Sequence, residues 1–217
     1  MKQTNTVAAT PLEALAIVAI CFGWFIVNSL LSLGSESGKG EFSDASFLSL
    51  IVVELALGAF ALLVLRLRGH SLMALLPVPT WRGGLLGLLA YAVATWISSV
   101  VVMLFATGMP EQPIEQIMAH ATPSLAYVFA LALVNGMYEE VFLLGYLQRS
   151  FSSAAPSFAI GLAVLVRLLY HLYQGPLGAL SIAAYGLVIG IFYWRTNLLW
   201  PAVFAHMLAD ILPFALK

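Results

Sequence analysis

Seven long apolar stretches constrain the fold of this chain more than any other feature of its sequence. Their approximate bounds are 12–34, 47–66, 84–108, 125–148, 157–174, 176–194 and 198–216. A helix needs about 20 mostly apolar residues to cross a bilayer, and these stretches reach or approach that length. The sequence has no strand-like alternation of apolar and polar residues. We therefore predict an all-α fold, a polytopic transmembrane helix bundle of about seven spans.

Composition supports this class and excludes others. Hydrophobic residues make up 62% of the chain and charged residues only 9%, whereas ordinary globular domains have about 25% charged residues. The hydrophobic composition makes membrane lipid the expected partner. The net charge of −1 gives no basis for nucleic-acid binding. The sequence shows neither an internal repeat nor a soluble segment, and we predict a single integral membrane domain over residues 1–217. The first apolar stretch is longer than the core of a signal peptide, so we expect it to be retained.

The distribution of charged residues predicts an orientation. If seven helices alternate in direction, one side carries Lys2, Arg66, Arg68, Arg82, Arg149 and Arg195. The other side carries Lys39 and Lys217 together with Glu36, Glu41, Asp44, Glu111 and Glu115. Basic loops remain in the cytoplasm, which predicts a cytoplasmic N-terminus. The compact chain without targeting segments favours the inner membrane of a prokaryotic cell.

Seven ionisable residues remain at membrane depth after this assignment: Glu54, Glu139, Glu140, Arg167, His171, His206 and Asp210. An acid or arginine at a helix centre costs at least ~2.5 kcal/mol, so such residues usually serve a function. Counting ~1.5 Å per residue from the helix ends gives similar membrane depths for all of these residues except Glu54. We expect Glu139, Glu140, His171, His206 and Asp210 to share one cavity that is open to the cytoplasm, and Glu54 to be structural. The alternative is that each residue separately satisfies a backbone carbonyl.

These residue types suit hydrolysis. A glutamate beside histidines can remove a proton from water, and a histidine with an acidic partner can donate to a developing oxyanion. His171, His206 and Glu139 also match the two-histidine, one-glutamate ligand set of catalytic zinc sites. The sequence lacks an H-E-x-x-H motif, so zinc and a metal-free mechanism both stay open. The glycine pairs Gly83/Gly87 and Gly186/Gly190 predict close helix packing rather than nucleotide binding.

Three segments carry a resemblance to a known family. "EEVFLLGYLQR" resembles the E-E-x-x-x-R motif of the CPBP (Abi) intramembrane proteases, which include type II CAAX prenyl endopeptidases. "YHLYQGPLG" resembles the second motif, and His206 with Asp210 matches the third, H-x-x-x-N/D. The resemblance covers residues 125–215.

The resemblance implies an intramembrane endopeptidase, CAAX-protease-like, that acts on a peptide or protein substrate, lipidated or not. Carried over to this chain, Glu139 is the water-activating base, His171 positions the water and Glu140 supports Glu139. His206 and Asp210 form the oxyanion side. The family is known both as metalloproteases and as metal-free glutamate proteases.

Two positions depart from the family pattern. Leu144 stands where the first motif has arginine, and Arg167 stands where the second motif, F-x-x-x-H, has phenylalanine. Because an unpaired buried carboxylate is costly, we predict that Arg167 replaces the missing arginine and pairs with Glu140. The alternative is a decayed site in which Arg167 lines a wet cavity.

Two other functions fit parts of the pattern. Glutamate and histidine within a membrane also build the proton relays of transporters, although transporters usually show internal repeats. A non-catalytic membrane scaffold of the same fold would explain the loss of the arginine at position 144.

Overall fold

A computed structural model of the chain describes residues 9–33, 41–153 and 155–216. Eight α-helices occur in these ranges: α1 (Pro11–Ser32), α2 (Asp44–Leu67), α3 (Trp81–Phe105), α4 (Pro113–Ala119), α5 (Leu125–Glu140), α6 (Pro156–His171), α7 (Pro176–Thr196) and α8 (Leu199–Ala215). A π-helix, Val141–Gln148, continues α5, and short 3₁₀ turns lie at Leu72–Ala74 and Leu172–Gln174. The described residues contain no strand.

The predicted polytopic helix bundle is confirmed. Six helical stretches in the described part of the chain are long and apolar enough to cross a membrane, and α8 is a shorter apolar helix of 17 residues. The short helix α4 was not predicted, because its seven residues are too few to show a hydrophobic period. Lys2, Glu36, Lys39 and Lys217, which entered the orientation prediction, lie outside the described residues.

Local sequence sets the helix ends. Thr10, Ser43 and Thr80 each accept a hydrogen bond from a backbone N–H of the first turn of α1, α2 and α3. Helices α4, α6 and α7 begin with proline, whose missing N–H costs nothing at a first helical position. Asn197 adopts a left-handed conformation with φ 54° and joins α7 to α8. That tight connection reverses the chain between α7 and α8, although the two helices touch little and each packs more extensively against α3.

The seven long helices form a closed ring. Each helix packs against the next in the order α1, α2, α5, α8, α3, α7 and α6, and α6 returns to α1. This order differs from the order along the chain: the motif-bearing helices α5 and α8 lie side by side, and α6 stands elsewhere in the ring.

Glycines create two of the seams in this ring. A methyl group on Gly87 of α3 would lie 2.7 Å from the Pro201 carbonyl oxygen of α8, and one on Gly83 would lie 2.7 Å from the Trp200 ring. Gly186 and Gly190 of α7 lie against Arg167 and Ile160 of α6 in the same way. Both glycine pairs are therefore close helix contacts, as predicted.

The π-helix fills one end of the ring. Its eight residues are all buried, and the segment contacts α1, α6, α7 and α8. Tyr146 donates to Glu13 at the start of α1, and Gln148 donates to the carbonyl oxygen of Gly190 on α7. Because a π-helix has i→i+5 hydrogen bonds, it is wider than an α-helix and suits a position where several helices must be contacted at once.

Charge separates the two ends of the bundle. The end that the π-helix fills, here called the basic end, carries Arg66, Arg68, Arg82, Arg149 and Arg195. The charged residues of the other end, here called the acidic end, are Glu41, Asp44, Glu111 and Glu115 among those described. Contacts at each end support this alternation, since Arg149 donates to the Ala74 carbonyl at the basic end and Ser124 to Asp44 at the acidic end.

Candidate active site

A cavity of about 700 Å³ occupies the ring between the middle of the bundle and the acidic end. Its outer part is lined by apolar side chains, among them Phe42, Phe47 and Phe214. Its inner part reaches Glu139, Arg167, His171, His206 and Asp210. The structure thus brings four of the five predicted catalytic residues, together with Arg167, to one cavity. The fifth, Glu140, lies directly behind it.

Glu140 is held by two partners from two other helices. The Arg167 guanidinium of α6 donates from Nη2 to Glu140 Oε1 over 2.5 Å. His206 Nδ1 of α8 lies 2.6 Å from the same oxygen, and because a carboxylate only accepts, this ring nitrogen carries the hydrogen. Glu140 has 0% exposure and does not line the cavity. The predicted pairing of Arg167 with Glu140 is therefore present.

Glu139 differs from its neighbour because it faces the cavity. Tyr170 of α6 donates its hydroxyl hydrogen to Glu139 Oε2, and Arg167 Nε lies 3.9 Å from the same oxygen. His206 Nε2 is 3.8 Å away. Adjacent acids in one helix thus receive different environments: Glu140 is buried between Arg167 and His206, and Glu139 lines the cavity, where it can meet water or a substrate.

A second polar group surrounds the outer nitrogen of His206. Its Nε2 lies 3.7 Å from Asp210 Oδ1 on the next turn of α8. The Asn135 amide of α5 donates to Asp210 Oδ2 over 2.9 Å and lies 3.3 Å from His206 Nε2. Asn135 precedes Glu139 by one helical turn, so α5 supplies both groups to the same cavity.

His171 and Glu54 occupy the margins of the site. His171 Nδ1 lies 3.0 Å from the Arg167 carbonyl oxygen. The imidazole lines the cavity, and its Nε2 is left for a partner there. Glu54 of α2 is 3% exposed and does not line the cavity, and its Oε2 has no hydrogen-bond partner. The interpretation of Glu54 as a structural acid stays a prediction.

The donor atoms of this site bear on whether it could hold a metal ion. Among the described residues, Glu139, Glu140 and His206 offer ligand atoms within 4.8 Å of one another. The set differs from the predicted His171, His206 and Glu139. The Arg167 guanidinium lies 2.5 Å from Glu140 and 3.9 Å from Glu139, so a divalent ion held by these carboxylates would lie close to an existing positive charge. The residues therefore fit a metal poorly.

The position of the cavity is incompatible with two expectations taken together. The sequence predicted a cytoplasmic basic end, and it also predicted a cavity open to the cytoplasm. The cavity instead extends from the cluster to the acidic end, and the buried π-helix fills the basic end. The sequence did not reveal this conflict, because depth counted from helix ends does not say which half of a bundle is packed.

Two residues of the site were missed by sequence reasoning. Asn135 carried a signal, since it is a polar side chain one turn before Glu139 within an apolar run. Tyr170 carried none, because a tyrosine in an apolar helix is ordinary and only the packing of α6 on the π-helix that continues α5 brings its hydroxyl to Glu139.

The fold and the cluster define a class: a polytopic helical membrane protein with a buried glutamate–histidine–arginine site at a cavity. Comparison with known families agrees with this class. Residues 120–212 match the family model described as "Type II CAAX prenyl endopeptidase Rce1-like". The matched segment covers α5 to α8, which supply every residue of the cluster, and the resemblance to the CPBP family is confirmed over it. The match supports an intramembrane endopeptidase. Neither a curated protein nor a solved structure matches the chain.

Proposed function

We propose that this protein is an intramembrane endopeptidase in which Glu139 activates a water molecule without a metal ion. The observation that carries the proposal is the unequal treatment of two adjacent glutamates. Glu140 is sealed with Arg167 and His206, whereas Glu139 lines the cavity. One acid therefore supplies a fixed charge and orients two partners, and the other is free to exchange a proton.

The reaction follows from these positions. Glu139 takes a proton from water, and the resulting hydroxide oxygen bonds to the carbon of a peptide carbonyl. The proton then passes from Glu139 to the leaving nitrogen, the C–N bond breaks, and a new carboxylate and a free amine are released. His171 positions the water beside Glu139. Arg167 and Tyr170 hold the Glu139 carboxylate from behind, so that little reorganisation is required during the step.

The shape of the cavity supports an apolar substrate. Aromatic side chains of α2, α8 and the segment before α2 line its outer part, and a cavity of about 700 Å³ is within the usual size of small-molecule pockets. A peptide with bulky apolar side chains, or with a lipid attached next to the cut, would place its polar backbone at the cluster. We propose that such a peptide enters from the acidic end, because the π-helix fills the other end.

The test compares wild type with Glu139→Gln on quenched-fluorescent peptides, each made with and without a farnesyl group and each assayed with and without chelator. We expect wild type to cut at least one peptide in both conditions and Glu139→Gln to lose at least about 10²-fold in kcat. The exposed Glu111→Gln serves as the control and should match wild type. Equal rates for wild type and Glu139→Gln would refute the proposed base, and binding without cleavage would support a non-catalytic scaffold.

A further inference from the structure

We infer that Tyr185 is a further catalytic residue, whose hydroxyl donates its hydrogen to the carbonyl oxygen of the peptide bond being cut. The inference rests on the proposed function and adds a group that the motifs of the sequence do not contain. Tyr185 lies on α7, a helix to which no catalytic role has been assigned so far.

Tyr185 lies beside the cluster. Its side chain lines the same cavity as Glu139, His206 and Asp210. The next residue, Gly186, lets the Arg167 side chain pass close to α7, since a methyl group there would lie 3.2 Å from Arg167 Cδ. The tyrosine therefore approaches the site from the wall formed by α7.

The hydroxyl of Tyr185 is buried and has no hydrogen-bond partner. Four buried side-chain atoms in the described ranges share this property: Glu54 Oε2, Glu140 Oε2, Gln148 Oε1 and Tyr185 Oη. The first three are acceptors, and none of their residues lines the cavity. Tyr185 alone among these four offers a hydrogen, and its residue lines the cavity. An unsatisfied buried polar group costs about 1–3 kcal/mol, so a ligand that accepts this hydrogen would recover that cost.

The neighbouring donors of the cluster are already engaged. Tyr170 donates to Glu139, and Asn135 donates to Asp210. His206 donates from Nδ1 to Glu140 and its Nε2 accepts from the Asn135 amide, so the ring has no second hydrogen to donate. When hydroxide adds to the peptide carbonyl, the oxygen becomes negative and needs a donor that is already in place. Tyr185 meets this need without breaking any hydrogen bond of the resting site.

The experiment measures Tyr185→Phe on a farnesylated or unmodified peptide from the quenched-fluorescent panel that wild type cuts. We expect kcat to fall by about 10²-fold, as for the loss of one oxyanion donor, with KM within about twofold. A phosphinate analogue of the same peptide, which imitates the tetrahedral intermediate, should lose affinity by a similar factor. The melting temperature should not fall, because the removed hydroxyl has no partner in the fold. Tyr193→Phe, on the same helix but outside this cavity, should match wild type in all three measurements.

Each contrary outcome separates the two proposals. A Tyr185→Phe variant with wild-type kcat and wild-type phosphinate affinity overturns the role of Tyr185 and leaves the proposed function standing. A loss of kcat that comes with a lower melting temperature and equally weakened binding of uncut peptide assigns Tyr185 a structural role instead. If wild type cuts no peptide of the panel, the proposed function fails, and this inference fails with it.

Discussion

Arg167 shows how one residue maintains a buried acid pair. Its guanidinium lies 2.5 Å from Glu140 and 3.9 Å from Glu139, and its side chain is 5% exposed. Taking a carboxylate out of water is expensive, and only a partner with good geometry offsets that expense. A planar guanidinium can serve two carboxylates at once, which an ammonium group does less well. A positive charge therefore lies beside Glu140, although it comes from Arg167 of α6 and not from position 144 of the motif.

Removal of this charge should destabilise the protein. Arg167→Phe leaves Glu140 buried with His206 as its remaining partner, and we expect a loss of about 3–5 kcal/mol in unfolding free energy. Arg167→Lys keeps the charge without the fork and should lose less. Unfolding in detergent micelles measures both. An Arg167→Phe protein as stable as wild type would contradict the role given to this pair.

The double change Arg167→Phe with Leu144→Arg tests whether the two positions are equivalent. Restoring the family arrangement should recover part of the lost stability and activity. The recovery should be incomplete, because position 144 lies in the π-helix. A π-turn closes over five residues, so a side chain four residues after Glu140 is not aligned with it as in an α-helix. A double variant no better than Arg167→Phe would show that the arginine has not simply moved between helices.

Metal content follows from the same contact. Since Arg167 compensates both glutamates, we expect protein purified without chelator to contain well below one equivalent of zinc per chain. Peptide cleavage should also survive addition of chelator. Elemental analysis and the cleavage assay check these outcomes together. About one equivalent of zinc, lost in His206→Ala, would instead favour the metalloprotease mechanism.

At the scale of elements, the α3–α8 seam positions His206. Gly87 approaches the backbone of Pro201, and its contact fixes the start of the helix that carries His206. We expect Gly87→Ala to cost about 1–3 kcal/mol by overpacking. Gly84, three residues earlier, has open space around it, so Gly84→Ala should be neutral or add up to about 1 kcal/mol. Thermal unfolding of the two variants distinguishes a specific seam from a general effect of glycine replacement.

Glu13 connects three elements at the basic end. Its carboxylate accepts from Tyr146 over 2.9 Å and from Arg68 over 3.1 Å, and His70 Nε2 lies 2.8 Å from it. Glu13→Gln replaces one acceptor oxygen with a donor, and we expect a loss of about 1.5–3 kcal/mol, the range for hydrogen bonds to charged groups. The exposed Glu41→Gln provides the control. Equal melting temperatures for both variants would show that this network does not hold the π-helix in place.

Sequence reasoning located the helices well and their internal geometry poorly. The predicted stretch 125–148 agrees with Leu125–Gln148, since apolar length alone determines a span. Hydropathy contains no signal for the change from α to π at Val141, because that change depends on partners such as Glu13 and Gly190 that are distant in sequence. The same limit explains why Arg167 could be matched to Glu140 by charge, whereas the hydroxyl of Tyr185 could not be placed at the cavity.

At the scale of the whole molecule, the charge asymmetry gives a topology that experiment can check. We expect the basic end to face the cytoplasm. In a Cys21→Ala background, Glu111→Cys at the acidic end should react with a membrane-impermeant maleimide in intact cells. Ser153→Cys at the basic end should react only after permeabilisation. Both positions are exposed, so accessibility within the fold does not bias the comparison. The reverse labelling pattern would invert the orientation.

The packed π-helix at one end of the ring also determines an order of events in the cell. With the basic end in the cytoplasm, the buried π-helix would lie between Glu139 and a protein still on the ribosome side of the membrane. A substrate would first have to be exported, or to have a segment that has already crossed the bilayer, before it could be cut. Cleavage would then occur only after translocation. The π-helix that fills the basic end of the ring would thereby protect proteins from being cut before export.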